Sequence, residues 1–339
     1  MNSRFTFIRP ESRAEVPKAD SRFVDVHVLD MNHAWHNAGH DSIVWMVRRL
    51  AAEEEARLAR AGVTVRLISY DVRRRILLPG PPSGVALYVG TGGPGHLDPR
   101  HNHRDDVDAG EIAESAEWEA PLFAFYEAVR ADDRAMFYGV CHTFGLLCRW
   151  SGIARPSLRT PEKGGPSIGI VENVLTPPAT RHPWFSQLAA RLPGGRRLPI
   201  VDSRHYDLIP TGEPFPPGVV PIAYESADAG DGVALTMVEF ARKRNGVPRM
   251  FAANHHPEIP AAPELATLLE QKFAAGEVSR EWYESRAGLV GQLQQRGERE
   301  SLRLLAAGYS FGFLLREGLR EAIDAAPRAR DGSAVSNAL

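Results

Sequence analysis

The chain has 339 residues, a formal net charge of −2 and 43% hydrophobic residues, which is typical of a globular protein with one or two domains. The balanced charge gives no electrostatic reason to expect nucleic acid or an acidic membrane surface as a partner. The two cysteines, Cys141 and Cys148, cannot form a disulfide framework, and no segment reads as a transmembrane helix or a signal peptide, so a cytoplasmic location is predicted.

The first part of the chain alternates between predicted strands and helices. Residues 1–21 are polar and are predicted to form an extended or loosely attached leader. Strands are predicted at Phe23–Met31 and Val63–Val72, with a long amphipathic helix between them. A third strand starts at Ala86, and a helix then leads to a fourth strand at Met136. This alternation predicts an α/β fold with an open, mostly parallel sheet and helices on both faces.

The rest of the chain is first rich in strands and then helical. The strand patterns lie at Pro166–Leu175, Leu198–Ile209, 219–226, 233–243 and Met250–Ala253. Helices are predicted at Pro263–Ala275, Ser279–Gln295 and Glu298–Ala326. The predicted domain is therefore residues 22–260, followed by a helical extension at 261–326 and a disordered tail at 327–339. The apolar face of the last helix must be buried against the main domain or another subunit.

The segment Met136–Trp150 is predicted to turn sharply from a strand into a helix. The apolar run ends at Val140, Cys141 follows at once, and Gly139 and Gly145 stand on either side. Such a nucleophile elbow holds its apex residue in a strained conformation at a helix N-terminus, where a thiolate is favoured. The alternative is that Cys141 is a small buried residue at the end of a core strand.

Two other strand ends carry groups that a thiol nucleophile needs. The strand Met250–Ala253 leads into His256 and Glu258, which supply a base and a carboxylate to orient it. The strand from Ala86 ends in the glycine-rich loop Thr91–Gly95. Glycines let the backbone approach a ligand, and a free N–H group in such a loop can stabilise an oxyanion.

In this order, the Gly-Gly-Pro loop, the cysteine elbow and the His-Pro-Glu segment resemble the class I glutamine amidotransferase superfamily. The resemblance covers roughly residues 22–260 and implies a flavodoxin-like α/β fold. It implies that Cys141 is the nucleophile, His256 the base and Glu258 the residue that orients the base. The resemblance implies no cofactor and no metal ion. The reaction it implies by default is glutamine hydrolysis.

The resemblance also assigns residues around this triad. It implies that the N–H groups of Gly93 and His142 form the oxyanion hole. The implied substrate-binding residues are Gly92, Thr143, Gly145 and His205. His205 belongs to a segment, Ser203–Asp207, that resembles a short Ser-x-His segment of the family, but a hydrogen-bonded surface or core histidine is an equally good interpretation.

The elbow departs from the family pattern at two positions. Thr143 stands where the family has a second glycine, and Gly145 stands where it has a glutamine that helps to hold the substrate amide. Thr143 is small enough to allow tight packing. Loss of the glutamine removes hydrogen bonds at a cost of about 1–3 kcal/mol for each unsatisfied group. The sequence therefore predicts retained acyl chemistry, a changed pocket and weak or absent glutamine turnover.

Histidines are frequent at the predicted carboxyl ends of the strands, where open α/β sheets bind ligands. These residues are His33, His36, His40, His96, His101, His103, His142, His255 and His256. They suggest a pocket for an anionic substrate, an additional acid or base, or a metal site, because His33, His36 and His40 would share one helical face. Histidine also simply tolerates polar loops, and no motif of fixed spacing completes a ligand set.

Three classes of function follow from these observations. The leading hypothesis is a cysteine-dependent, amidotransferase-like hydrolase or acyl transferase that acts on a small-molecule amide or related carbonyl. The alternatives are a catalytically inactive binding protein with this fold and a histidine-dependent metalloprotein. The chain contains no synthetase-sized segment, so a partner synthetase or a second copy would be bound through the C-terminal helices.

Overall fold

Twelve strands form one mixed sheet in the computed structural model, which describes residues 4–102, 112–161, 165–225, 234–294 and 297–326. The strands are β1 Phe5–Ile8, β2 Phe23–Asp30, β3 Thr64–Asp71, β4 Ala86–Gly90, β5 Ala135–Val140, β6 Ala154–Leu158, β7 Ser167–Leu175, β8 Arg197–Arg204, β9 Tyr206–Pro210, β10 Val220–Glu225, β11 Leu235–Arg242 and β12 Pro248–Ala253. Their order is β1-β3-β2-β4-β5-β12-β11-β10-β7-β8, and β9 pairs with both β11 and β6.

Helices connect and follow these strands. They are α1 Ala38–Glu53, α2 Glu55–Ala61, α3 Val72–Arg75, α4 Glu119–Ala131, α5 His142–Trp150, α6 Pro177–Thr180, α7 Phe185–Ala189, α8 Ala262–Ala274, α9 Arg280–Gln294, α10 Gly297–Ala307 and α11 Phe313–Ala325. A π-helical segment, Gly308–Gly312, joins α10 to α11. The long helix predicted after β2 is divided at Glu54, and it ends at Gly62 in the left-handed conformation that glycine favours.

The predicted α/β class is confirmed, and the sheet has two halves. The strands from β1 to β12 in the sheet order are parallel. From β12 onward, each strand runs antiparallel to its neighbour in the order β12-β11-β10-β7-β8. Gly90 pairs with Gly139 and Val140 with Ala253, so β4, β5 and β12 end side by side. Because these strands are buried along their whole length, they read as continuous apolar runs in the sequence.

The predicted leader contains a strand that the sequence analysis missed. Phe5–Ile8 pairs in parallel with β3, with Phe5 opposite Val65, and the Phe5 side chain is buried. The leader is therefore not loosely attached at these residues. The single strand predicted at Leu198–Ile209 is likewise wrong, because the chain breaks at His205 into β8 and β9. The tail predicted at 327–339 lies outside the described residues, and the predicted domain boundaries stay predictions.

The last helix packs on the main sheet and does not expose its apolar face. Leu314, Leu315, Leu319 and Ile323 are buried, and a Cβ atom on Gly318 would lie only 3.0 Å from Leu87 Cδ1 and 3.2 Å from Met136 Sδ of the sheet. This face of α11 is therefore covered by the chain itself, and the predicted use of the C-terminal helices for a partner stays a prediction. No helix in the described part of the chain is both long enough and apolar enough to cross a lipid bilayer.

A buried arginine joins the helical extension to the segment that carries His256. Arg303 of α10 is 1% exposed, and its guanidinium donates to the carbonyl oxygens of Ile259 and Pro260, at 3.0 Å each, while pairing with Glu300. The backbone that follows Glu258 is thereby fixed by a charge-assisted contact from a distant helix.

We expect Arg303→Met to lower the free energy of unfolding by roughly 3 kcal/mol, because the Glu300 carboxylate and two buried carbonyl groups lose their hydrogen-bond donor. Urea unfolding followed by circular dichroism measures the loss. The matched control is Arg280→Met, since Arg280 is exposed and lies 3.7 Å from Glu284. Equal stability of the two variants would contradict an anchoring role for Arg303.

Candidate active site

The Cys141 backbone is held in a strained conformation between β5 and α5. Its φ of 49° and ψ of −104° are rare for a residue with a side chain, and such strain costs about 1–3 kcal/mol. The Cys141 N–H donates to the Ala253 carbonyl at 2.8 Å, which continues the β5–β12 pairing to the apex. The half-buried thiol therefore stands at the N-terminus of α5, as the elbow pattern predicts.

His256 and Glu258 form a hydrogen-bonded pair just beyond β12. The Nδ1 atom of His256 lies 2.8 Å from Glu258 Oε1, and Glu258 is completely buried. The first turn of α1 packs against this carboxylate, since a Cβ atom on Gly39 would lie 2.5 Å from Oε1. The positive end of that helix favours the negative charge.

Cys141 and His256 flank the backbone of Gly92. A Cβ atom on Gly92 would lie 3.2 Å from His256 Cε1 and 3.4 Å from Cys141 Cβ. Burial tends to lower the pKa of His256, but the Glu258 carboxylate and a hydrogen bond with Cys141 outweigh it and hold this pKa well above its usual value. The imidazolium form therefore persists at a higher pH than in a free histidine and is lost as the pH rises through the raised pKa.

The antiparallel half of the sheet supplies a second wall. The His256 N–H donates to the Val201 carbonyl at 2.8 Å, and the Ser203 carbonyl lies 4.0 Å from Cys141 Sγ. His205, a predicted pocket residue, is exposed in the turn between β8 and β9. The structure therefore brings the backbone of this segment to the thiol and leaves the His205 side chain towards solvent.

Gly93 lies in the glycine-rich loop after β4, and His142 is the first residue of α5, directly after Cys141. The Met31 carbonyl group packs against Gly93, since a Cβ atom on Gly93 would lie 2.3 Å from the Met31 oxygen. The ring of His142 is buried, and its Nε2 atom has no hydrogen-bond partner in the described part of the chain. Within the described residues, neither amide N–H has a hydrogen-bond acceptor. Their predicted role in an oxyanion hole needs such free donors.

Thr143 is accommodated by glycines on the neighbouring strands. A Cβ atom on Gly90 would lie 2.4 Å from Thr143 Cγ2, and one on Gly139 would lie 2.8 Å from the same atom. The Thr143 hydroxyl donates to the Thr91 carbonyl at 2.7 Å. The threonine in place of the family glycine therefore keeps the elbow tight and ties α5 to the glycine-rich loop.

Leu97 fills the space that a side chain at position 145 would need. A Cβ atom on Gly145 would lie 2.4 Å from Leu97 Cδ1 and 2.6 Å from Cδ2, and Leu97 is 4% exposed. Where the resembling family carries a glutamine side chain, this chain has a buried apolar contact between Gly145 and Leu97. No sequence signal pointed to Leu97, because it lies in a loop remote from the elbow along the chain.

Arg73 was also missed as a residue that shapes the site. It belongs to the run Arg73–Arg75, which on sequence alone is typical of a solvated surface. Arg73 is nevertheless 3% exposed and pairs with the buried side chain of Glu114 at 2.5 Å. Its Nη1 atom donates to the Met31 carbonyl at 2.9 Å and the Pro94 carbonyl at 2.6 Å. The glycine-rich loop is therefore fixed by one buried guanidinium.

The described histidines are not grouped as the predicted metal site would require. The prediction that His33, His36 and His40 share a helical face is wrong, because His33 has a φ of 53° and α1 begins only at Ala38. The Asn37 side chain caps that helix, and His40 is turned to Ser69 Oγ at 2.9 Å. In the described ranges, no three His, Cys, Asp or Glu residues are grouped to hold a metal ion. His103 lies outside the described residues.

His255, the neighbour of the predicted base, is buried. Burial and the charges of His256 and Arg204 lower the pKa of His255 to about 3, and neither ring nitrogen has a hydrogen-bond partner among the described residues. A neutral, enclosed imidazole cannot exchange protons with a substrate at Cys141. Of the two neighbouring histidines, it is His256 that lies near Cys141 and is paired with a carboxylate.

The solved structures that are similar to this chain include a glutaminase domain and a ThuA-like protein. The glutaminase domain of Trypanosoma brucei CTPS, with bound acivicin, has 12% sequence identity and a TM-score of 0.42, and the match covers 75% of this chain and 95% of that chain. A ThuA-like protein from Bacteroides uniformis has 10% identity and a TM-score of 0.32, with 71% and 85% coverage. No protein-family model matches the sequence, and no curated protein matches it.

We expect iodoacetamide to modify Cys141 at pH 7 at least about ten times faster than Cys148. Cys141 is partly exposed beside a histidine that stays protonated, whereas burial raises the pKa of the Cys148 thiol well above its usual value. Peptide mass spectrometry of the native protein at successive times gives both rates. Cys141→Ala should leave the slow rate of Cys148 unchanged, and equal rates in the wild type would argue against an activated thiol.

Proposed function

We propose that the chain is a cysteine-dependent acyl-transfer enzyme, a hydrolase or transferase that acts on an amide or a related carbonyl. The observation that carries the proposal is the strained Cys141 at the N-terminus of α5, with the hydrogen-bonded pair of His256 and Glu258 on the adjacent strand end. Strain of this kind persists where the surrounding structure holds it, and it is concentrated at functional sites.

In the proposed reaction, the thiol proton of Cys141 already resides on His256, and the Cys141 thiolate attacks the carbonyl carbon of the substrate. The oxyanion that forms is held by the N–H groups of Gly93 and His142. The imidazolium then gives its proton to the leaving amine, and a thioester remains on Cys141. Water or an acceptor amine attacks that thioester and restores the thiol. Glu258 fixes the ring of His256 and stabilises its positive charge.

The substrate we propose is one that needs no side-chain amide at the elbow. Leu97 fills the space beside Gly145 and is itself 4% exposed, so position 145 offers no polar group to a substrate. An amide substrate that needs hydrogen bonds from this position would lose about 1–3 kcal/mol for each group left unpaired. An acyl group that makes no hydrogen bond at this position avoids that cost.

The direct test is acylation by p-nitrophenyl acetate. We expect a burst of p-nitrophenolate equal to the enzyme concentration, with the acetyl group on Cys141 in the mass spectrum. Cys141→Ala should abolish the burst, and Cys148→Ala should leave it unchanged because Cys148 is buried in α5. His256→Ala should slow the burst by roughly 100-fold or more, as expected for loss of a general base.

A burst that is unchanged in His256→Ala would show ordinary thiol reactivity and would contradict the proposed role of His256 as the base. The absence of any acylation in the wild type, with Cys141 unreactive, would favour the catalytically inactive binding protein.

We expect the wild type to release ammonia from glutamine no faster than Cys141→Ala does. Gly145→Gln should not restore this activity, because the new side chain collides with Leu97, and overpacking should destabilise the variant by about 1–3 kcal/mol. Adding Leu97→Gly should recover most of that stability. An ammonia-coupled assay and urea unfolding measure the two effects. Robust Cys141-dependent ammonia release from glutamine by the wild type would contradict this account of the pocket.

A further inference from the structure

A cavity lies over one face of β2, next to the first residues of β2 and β4. It has a volume of about 630 Å³, which is within the usual range for small-molecule sites. Its walls come from the segment before β2, from the loop before β4 and from the end of α11. Neither Cys141 nor His256 nor Glu258 lines it, so this cavity is separate from the candidate active site.

The sequence of β2 indicates that one of its faces is only partly covered. Val24, Val26 and Val28 are buried, whereas the residues between them, Asp25 and His27, are partly exposed. Parallel strands are normally covered on both faces and read as continuous apolar runs. The alternation in β2 instead places polar side chains at the floor of the cavity.

His27, Tyr70 and Tyr88 form one cluster on this face of the sheet. His27 lies opposite Tyr88 in the pairing of β2 with β4, and the two rings stack with their centroids 5.0 Å apart. The Nδ1 atom of His27 lies 3.1 Å from the hydroxyl oxygen of Tyr70. All three residues line the cavity, so the groups that a ligand would meet are in contact with one another.

The Tyr70 hydroxyl determines which nitrogen of His27 carries the proton. Tyr70 is 1% exposed, and it makes no other hydrogen bond with the residues that the structure describes. Because a buried hydroxyl needs an acceptor, its O–H group donates to Nδ1, and the ring proton of His27 lies on Nε2. Burial lowers the pKa of His27 to about 4 and raises the pKa of Tyr70, so both side chains are uncharged at neutral pH.

The Nε2–H group of His27 is therefore a donor without an acceptor. In the described part of the chain, Nε2 has no hydrogen-bond partner and is not among the enclosed polar atoms, so it faces the cavity. A neutral N–H group of this kind binds a carbonyl or a similar oxygen.

The charges around the cavity disfavour an anion. Two carboxylates line it, Asp20 and Asp25, and they are paired with Arg22 and Arg66, respectively. The described residues that line the cavity include no lysine and no arginine. An uncharged acceptor therefore suits the cavity better than a carboxylate or a phosphate does.

We propose that this cavity is a ligand site for an uncharged molecule that presents a carbonyl oxygen on a small apolar body, such as an aryl ketone. The oxygen accepts the hydrogen bond from His27 Nε2, and the apolar part lies between the segment before β2 and the loop before β4. The site uses no group of the candidate active site, so its failure and the failure of the proposed enzymatic function are independent results.

Three probes test the site by isothermal titration calorimetry. Acetophenone supplies a ring and a carbonyl oxygen, toluene supplies the ring alone, and benzoate carries a carboxylate in place of the ketone. We expect acetophenone to saturate one site at millimolar concentration or below, and toluene and benzoate to bind roughly ten times more weakly or not at all. Cys141→Ala should bind acetophenone as the wild type does.

Nuclear magnetic resonance reports the tautomer of His27 directly. Long-range ¹H–¹⁵N spectra of protein with ¹⁵N-labelled histidine distinguish the two ring nitrogens, and the signals lost in His27→Phe identify this residue. We expect the Nε2–H tautomer at neutral pH, and we expect its Nε2 signal to shift when acetophenone is added.

Two variants locate the ligand. His27→Phe keeps a ring but removes the donor, so it should reduce the affinity for acetophenone to that for toluene. Ala325→Trp places an indole on the exposed rim of the cavity and should weaken acetophenone binding roughly tenfold or more even if His27→Phe does not fold. The matched control is Ala52→Trp, at an exposed position of α1 outside the cavity lining.

Four results would overturn the proposal. The first is a flat titration with acetophenone at millimolar concentration, and the second is equal affinity for acetophenone and toluene. The third is acetophenone binding that Ala325→Trp leaves unchanged. The fourth is an Nδ1–H tautomer of His27, which would leave the cavity without the proposed donor.

Discussion

The conformation of Cys141 is the constraint on which the rest of the site depends. Its backbone angles are unfavourable, and two contacts hold them: the hydrogen bond from its N–H to Ala253 and the packing of α5 against the ends of β4 and β5. The same hydrogen bond fixes the distance between the elbow and the strand that leads to His256. One backbone contact therefore both maintains the strain and positions the Cys141 thiol relative to the strand end that carries His256.

Close backbone approach is the common means by which the site is assembled. Gly39 lets the first turn of α1 pack closely against Glu258. Gly92 lies between Cys141 and His256, and Gly93 lies against the Met31 carbonyl. At each of these positions a Cβ atom would meet a neighbour at 3.2 Å or less. The glycines are thus required by the space that each one leaves, and not by a positive φ.

The sequence predicted those parts of the site that belong to local patterns. An apolar run followed by Cys141, and another followed by His256 and Glu258, identify strand ends, and parallel pairing brings strand ends together. Leu97 and Arg73 could not be found in this way, because their importance comes from contacts between loops that are distant in the chain. The prediction that His33, His36 and His40 share a helical face was wrong for a local reason. Asn37 caps the N-terminus of α1, so His33 and His36 precede the helix.

The pairing of β5 with β12 also determines when the site can form. Cys141 and His256 are far apart in the chain, and β12 adds to the sheet between β5 and β11 only after the antiparallel half has been synthesised. Closing such a long loop is slow, because its entropy is lost before the contacts are gained. A nascent chain that ends before β12 contains the cysteine but neither the base nor the Ala253 carbonyl that holds the elbow. The strained elbow and its approach to His256 can therefore form only when translation is well advanced.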